Sequence, residues 1–389
     1  MTYPDKLFFQ NLKQFRRELH QYPEVSGKEF ETAKTISTAF KLLQPDILLE
    51  ELGGTGVLAT FSGTQPGPHL MFRAELDALP IQELNSFPHR STKEGVSHKC
   101  GHDGHMATLF GLAQWVAAHR PQQGQISVLF QPAEEDGSGA AKVLADERFI
   151  TVSPDYVFAF HNLPGYDLGQ VVIRDGSISA AVRSMIIKLK GKTAHAAEPE
   201  NGINPAPALA ALIIGLQTLM EPDTSHSEFK LITPVHMNLG EKAYGVAAGY
   251  GELHLTIRTW TEPVMLSLIT QINSLIDKVS NLHGLDSELD WTDSFLANQN
   301  DIYCTGMVRK AAEYLNMDIS ERQFPLKWGE DFGYFTQKYP GAFWGMGAGL
   351  DSPALHNPDY DYPDELSQKA LMLFLKLIQD MGLELGHSE

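Results

Sequence analysis

The stretch Gln125–Gly139, Q-I-S-V-L-F-Q-P-A-E-E-D-G-S-G, decides the fold. Ile126–Phe130 has the apolar, β-branched and aromatic composition of a strand, and two adjacent carboxylates, Glu134 and Glu135, stand just past its end. Gly139–Asp146 then reads as a helix. The same arrangement recurs on either side. Upstream, H-L-M-F-R-A-E-L-D-A-L-P gives a strand from His69 to about Arg73 that runs into Glu75 and Asp77. Downstream, P-D-Y-V-F-A-F-H-N-L-P gives a strand over Tyr156–Phe160 that ends in His161. Strands alternating with helices imply an α/β sheet with helices on both faces. Asp77, Glu135 and His161 each follow the carboxyl end of such a strand, the edge where active sites of open α/β sheets gather. A need for surface solubility does not account for polar, metal-type residues recurring at that one location.

Between the first two of these strands lies Gly95–His105, G-V-S-H-K-C-G-H-D-G-H. A thiolate at Cys100 and an imidazole at His102 are donors that a zinc-class ion takes. Met106–His119 behind them is apolar at helical spacing, so the loop feeds a helix start, where partial positive charge favours a thiolate. Earlier in the chain, Leu7–Leu19 and Glu29–Leu43 read as helices broken by H-Q-Y-P-E-V-S-G, and Gly56–Ser62 reads as a strand. Near the far end, A-F-W-G-M-G-A-G-L-D-S-P-A-L-H-N-P runs from a strand through a glycine-rich loop to His356.

At 389 residues the chain exceeds one ordinary core, and two domains are expected. Hydrophobic residues at 43% with 20% charged residues describe a globular protein. No run is long and apolar enough for a membrane helix, and the N-terminal stretch lacks the apolar segment and cleavage site of a signal peptide. With two cysteines, Cys100 and Cys304, no disulfide framework is indicated, and a reduced, cytoplasmic setting is expected. A net charge of -18 argues against nucleic acid or an anionic membrane as partner.

Between about Ala180 and Asp293 the rhythm changes. Ser184–Lys190 reads as a strand, Pro205–Met220 as a helix, Phe229–Met237 and Gly251–Trp260 as strands, Pro263–His283 as a long helix and Asp286–Trp291 as a last strand. The order βαββαβ is that of a ferredoxin-like unit. The α/β pattern resumes with a helix at Met307–Leu315, a strand at Gly341–Met346 and a closing helix at Leu366–Met381. The expected organisation is a mixed-sheet α/β domain built from residues 1–179 and 294–389, with residues 180–293 inserted. Cys100, His102, Glu135, His161 and His356 together exceed a closed tetrahedral zinc site and are too scattered for a zinc finger. Two metals with room for solvent and substrate fit them better.

At this point the residues match a family. The chain resembles, over essentially its whole length, the M20 metallopeptidase and amidohydrolase family. The branch is the one holding hippurate, N-acyl-amino-acid and auxin-conjugate hydrolases. The resemblance rests on R-R-E-L-H-Q-Y-P-E at Arg16–Glu24, R-A-E-L-D-A-L-P at Arg73–Pro80, C-G-H-D-G-H at Cys100–His105 and F-Q-P-A-E-E at Phe130–Glu135. It continues with H-N-L-P at His161–Pro164, G-K-T-A-H-A-A at Gly191–Ala197, G-E-D-F at Gly329–Phe332 and L-H-N-P at Leu355–Pro358.

The resemblance implies a zinc-peptidase-like catalytic domain carrying an inserted lid and dimerisation domain. It also implies two divalent ions, zinc, manganese or cobalt, on Cys100, His102, Glu135, His161 and His356. Glu134 is then the general base, His195 the oxyanion donor and Arg258 the contact for a substrate carboxylate. Asp77 is expected to orient a metal-binding histidine, Asp103 to act similarly or nearer the metals, and His98 and His105 to be bystanders. The reaction implied is hydrolysis of an N-acyl amino acid by metal-activated water in a homodimer. A dipeptidase or aminopeptidase on the same scaffold, or an inactivated binding protein, are the competing readings. The chain departs from the family at Glu75, where Asp is usual, at Gly245 and Ala248, where Asn and Pro are common, and at Glu200, where many carry His.

Overall fold

The structure, a computed structural model, describes residues 3–386. It divides into two compact units. The first runs to Ile178 and resumes over Asn298–Gln323 and from Glu330 onward; the second comprises Ser179–Ala297 and Phe324–Gly329.

The first unit opens with α1 (Lys6–Gln21), started by the Asp5 carboxylate accepting the Phe8 N–H at 2.9 Å, and α2 (Phe30–Leu43). Strands β1 (Ile47–Leu52), β2 (Gly56–Ser62) and β3 (Gln65–Glu75) follow, then α3 (His102–Ala118) and β4 (Gln123–Gln131). The helix expected over Gly139–Asp146 is α4 (Gly139–Ala145), and a further helix, α5 (Glu147–Ile150), follows directly after Asp146. There the Asp146 side chain accepts from the Arg148 N–H and starts a new helix. β5 (Tyr156–Pro164), β6 (Val171–Ile173) and β7 (Gly176–Ser179) lead to the second unit.

That unit contains β8 (Ala181–Lys190), β9 (Ala194–His195), α6 (Ala206–Gln217), β10 (Lys230–Leu239), β11 (Val246–Ala247), β12 (Tyr250–Thr259), α7 (Glu262–His283) and β13 (Asp286–Phe295). The chain then completes the first unit with β14 (Asn298–Asn300), α8 (Ile302–Tyr314), β15 (Ile319–Glu321), α9 (Gly333–Thr336), β16 (Gly341–Gly349) and α10 (Asp364–Asp380).

The large sheet has the order β1-β2-β4-β3-β5-β16-β6-β15. Its centre is parallel (β3 with β4 and β5, β16 with β5), while β1, β2 and the β16–β6 pairing are antiparallel. Glu75, Gln131 and Pro164 therefore end their strands at one edge. The unforeseen β1 is a mostly exposed edge strand, I-L-L-E-E-L, whose composition carries little strand signal. Beneath the parallel strands, the Phe374 ring lies 4.9 Å from Phe72, 5.7 Å from Phe160 and 5.7 Å from Trp344. α3 is buried on nearly every side, which its all-round apolar sequence requires.

The second unit's sheet, β10-β12-β8-β13, is antiparallel throughout. β12 alternates buried and half-buried residues, and its inward Leu253, Leu255 and Ile257 pack with Met265, Leu268 and Ile272 of α7. β9 and β11 form a small ladder of their own, pairing His195 with Val246. Residues 324–329, placed in the other domain from sequence, belong here. The Ala180 N–H donates to the Leu326 carbonyl at 2.9 Å, and Phe324 packs with Ala180, Val182 and Trp260.

A buried charge network fixes the start of α3 to the rest of the first unit. Asp103 accepts from His20 Nδ1 at 2.8 Å and Arg16 Nη1 at 3.1 Å, while Arg16 also reaches Asp361 at 2.7 Å and Asp364 at 2.8 Å. Glu83 joins His20 Nε2 at 3.0 Å and Lys99 Nζ at 2.5 Å. Burial alone lowers the His20 imidazole, but Asp103 and Glu83 outweigh it and raise it to about 9. Its stabilisation is therefore complete below the ordinary value of 6.5 and is lost as pH rises through about 9. Denaturant midpoints measured across that interval fall for the native protein, and His20→Gln flattens the decline. Phe374→Ala, which opens a cavity among three rings, lowers stability by about 3–5 kcal/mol in the same assay.

Candidate metal centre

The sheet edge and the start of α3 meet around Cys100. Gly101, which precedes α3, has φ +92°, and a Cβ there would lie 2.3 Å from Asn162 Oδ1. Only glycine allows both the left-handed turn and that approach. The turn delivers Cys100 and His102 to the same place: their ligand atoms and one of His161 lie within 4.8 Å of one another. Cys100 Sγ is 3.4 Å from His161 Nε2. Cys100, Glu135 and His356 form a second such group. Glu135 Oε1 stands 3.9 Å from His102 Nε2 and 3.6 Å from His356 Nε2. All five expected ligands thus converge, although their positions span residues 100–356.

The surroundings fit a cation. His102 Nδ1 donates to the Asp77 main-chain carbonyl at 2.8 Å, and His161 Nδ1 donates to the Asn162 carbonyl at 2.9 Å, so each ring turns Nε2 inward. His102 Nε2 and Glu135 Oε1 are buried without a hydrogen-bond partner. Orphaned donors of this kind, with a sulfur and a carboxylate among them, are what a divalent pair would satisfy. Burial works against charge on His102, yet Glu75 and Asp77 raise it to about 10. Burial raises the Cys100 thiol further, with Glu135 and Glu134 adding to it. His356 is in the left-handed region at φ +66°, held by its N–H to the Lys99 carbonyl at 2.8 Å, a strained backbone for a non-glycine residue.

Glu134 lies beside this set, with Oε2 4.0 Å from His102 Nε2 and Oε1 accepting the Asp331 N–H at 3.4 Å. It is 6% exposed. Burial, with Glu330, Glu135 and Asp331 nearby, raises its carboxyl well above the ordinary range, and Arg73 opposes them. Arg73 is the hub that sequence reasoning missed. Its guanidinium donates to Asp331 at 2.7 Å, Glu330 at 3.0 Å and Gln131 at 2.9 Å, and it also pairs with Glu75. The signal was present in R-A-E-L-D and G-E-D-F, but Arg73, Glu330 and Asp331 carry no expected role there.

Other expectations change. Asp77 Oδ1 lies 3.4 Å from His102 Nδ1, but the closer contact is its carbonyl, and Oδ2 instead takes the Glu135 N–H at 2.9 Å. Asp103 braces α3 through His20 and Arg16 rather than orienting a ligand histidine. His105, outside the expected ligand set, has a structural part: Nδ1 bonds Glu75 at 2.7 Å, its ring lies 4.7 Å from His161, and the longer Glu75 side chain bridges it to Arg73. His98 is buried, with neither ring nitrogen hydrogen-bonded. His195 and Arg258 belong to the second unit. His195 is exposed on β9, its Nδ1 accepting the Ala197 N–H at 3.1 Å, and Arg258 on β12 donates to the Lys327 carbonyl at 2.9 Å.

The profile of peptidase family M20/M25/M40 matches residues 71–380. The chain is 34% identical to N-acetyl-L-cysteine deacetylase of Bacillus subtilis (strain 168), covering 91% of this chain and 84% of that protein. It is 31% identical to N-acetyldiaminopimelate deacetylase of Anoxybacillus flavithermus, covering 94% and 96%. The crystal structure of the Bacillus subtilis YXEP protein, described as a dinuclear metal binding peptidase from the M20 family, superposes with a TM-score of 0.81 at 29% identity, covering 96% and 98%. Together with the converging donors, these matches establish that the chain belongs to peptidase family M20/M25/M40, as a metal-dependent hydrolase of amide bonds.

Proposed function

We propose that the protein cleaves the amide bond of N-acyl amino acids at two divalent ions held by Cys100, His102, Glu135, His161 and His356. The observation that carries the reading is the division of labour between neighbours: Glu135 Oε1 sits among the donor imidazoles, and Glu134 is buried beside them. Two divalent ions held there, zinc, manganese or cobalt, would supply Lewis acidity and lower the pKa of water. Glu134 takes the proton of the attacking water and returns it to the leaving nitrogen. Its burial beside the donor imidazoles places it to carry that proton between the two steps. His195 donates to the oxyanion and Arg258 receives the substrate carboxylate, both from the second unit.

The acetyl groups in the relatives' names support a small acyl group. The second unit also serves as the lid and the dimer contact: β10 is an outer strand exposing Val235, Met237 and Leu239, an edge suited to pairing with a second copy. Among the described residues no helix is long and apolar enough to cross a membrane, and the net charge of -18 disfavours nucleic acid.

A Glu134→Gln protein retains its metal by elemental analysis and loses about 10²–10⁴-fold in kcat; undiminished turnover removes Glu134 as the base. In a panel of N-acetyl amino acids and free dipeptides assayed after chelation and reloading with zinc, manganese or cobalt, the N-acetyl compounds are turned over preferentially. Preference for the free α-amine would instead make the protein a dipeptidase.

A further inference from the structure

We propose that Glu29 and Ser26, in the loop before α2, are positioning residues for the reaction: they hold the backbone of the Ala133–Glu135 turn and so aim Glu134 and Glu135. The inference rests on the reading of that pair as base and ligand. Glu29 is wholly buried. Its Oε1 accepts the Ala133 N–H at 2.9 Å and the Gly27 N–H at 2.8 Å, and its Oε2 accepts the Thr55 hydroxyl at 2.7 Å. Ala133, immediately before the glutamates, sits at φ +50°, a conformation that a non-glycine residue keeps only where its surroundings enforce it. The Gly139 N–H closes the turn from the other side on the Ala133 carbonyl at 3.0 Å, and a Cβ on Gly139 would lie 1.6 Å from the Pro132 carbonyl oxygen.

A second brace runs through Asp77. The Ser26 hydroxyl donates to Asp77 Oδ2 at 2.7 Å, and the same oxygen accepts the Glu135 N–H at 2.9 Å. The loop is itself fixed to the segment bearing Asp77, because the Ala78 N–H donates to the Glu24 carbonyl at 2.8 Å. Two carboxylates, each tied to residues 26–29, thus grip the N–H groups on either side of Glu134. Displacement of a catalytic group by about 1 Å can cost about 10²-fold in rate, and nothing else described in this turn fixes Ala133 N–H. Glu29 touches no ligand atom, so its effect reaches the chemistry only through the main chain.

The test compares Glu29→Ala, Glu29→Gln and Ser26→Ala in full-length protein by two readouts: amide hydrogen exchange of residues 132–139 in metal-free protein, and kcat and KM after metal loading. Glu29→Ala leaves two N–H groups without an acceptor. It speeds exchange of Ala133 and lowers kcat by about 10- to 100-fold, with KM changed by less than about threefold. Glu29→Gln, whose amide oxygen can still accept both N–H groups while its NH2 turns to Thr55, recovers most of both losses. Ser26→Ala loosens Glu135 and lowers kcat by a smaller factor. Should Glu29→Ala not fold, the other two variants decide. Wild-type exchange and kcat in Ser26→Ala, or a Glu29→Gln as impaired as a loss of the side chain, overturns the proposal. Glu134→Gln run alongside separates the two questions. If it stays active the base reading fails, while exchange in the metal-free variants still reports on the brace.

Discussion

The arrangement depends on one cation placed where water cannot reach. Arg73, wholly buried, stands at the sheet edge with Glu75, Glu330 and Asp331 around it, and Glu134 close behind. Several carboxylates so near one another would repel and leave the interior without a counter-charge. The guanidinium fork joins three of them and Gln131 at once, which a point-charge ammonium could not do. It does not neutralise them all. Glu75 is held well below its ordinary range, whereas burial and Glu330 raise Asp331 to about 8 despite Arg73. Burial, and after it the neighbouring carboxylates, raise Glu134 well above the ordinary carboxyl range despite Arg73.

Much of this was readable in the residues. The recurrence of a strand followed by a polar, metal-type residue, at Asp77, Glu135 and His161, located the sheet edge, although β5 runs on past His161 to Pro164. The changed rhythm after Ala180 marked the antiparallel unit, because period and strand length are local signals. What stayed hidden depends on contacts distant in sequence. Arg73 meets Asp331 across 258 positions, and no spacing rule links them. Glu29 looked like an ordinary helix-start residue because its acceptor role is defined by Ala133, 104 positions away. Asp77 does meet the His102 ring nitrogen, but its main-chain carbonyl makes the closer contact, a distinction that only backbone geometry reveals. β1 escaped because an exposed edge strand needs neither alternation nor branched residues.

The two units solve different packing problems. In the second, four antiparallel strands bury one face under α6 and α7, so inward and outward positions alternate. In the first, the central strands are covered on both sides and read as nearly continuous apolar runs. Within the strands a buried polar group needs a partner on its neighbour, as Ser127 finds in Thr60 and His69, whereas at strand ends the loops supply partners freely. That is why the ligand and base candidates of the first unit gather at a single edge.

α3 has a consequence of its own. Its first residue is His102, and from there to Val116 nearly every side chain is enclosed, with Gly104 against the Tyr362 ring and Gly111 against Leu12. One element is therefore both the seat of the donor candidate His102 and the axle of the hydrophobic interior. No flexible joint separates the two duties, so a shift of a donor drags core packing with it. The geometry of that donor is in effect locked to the fold's stability.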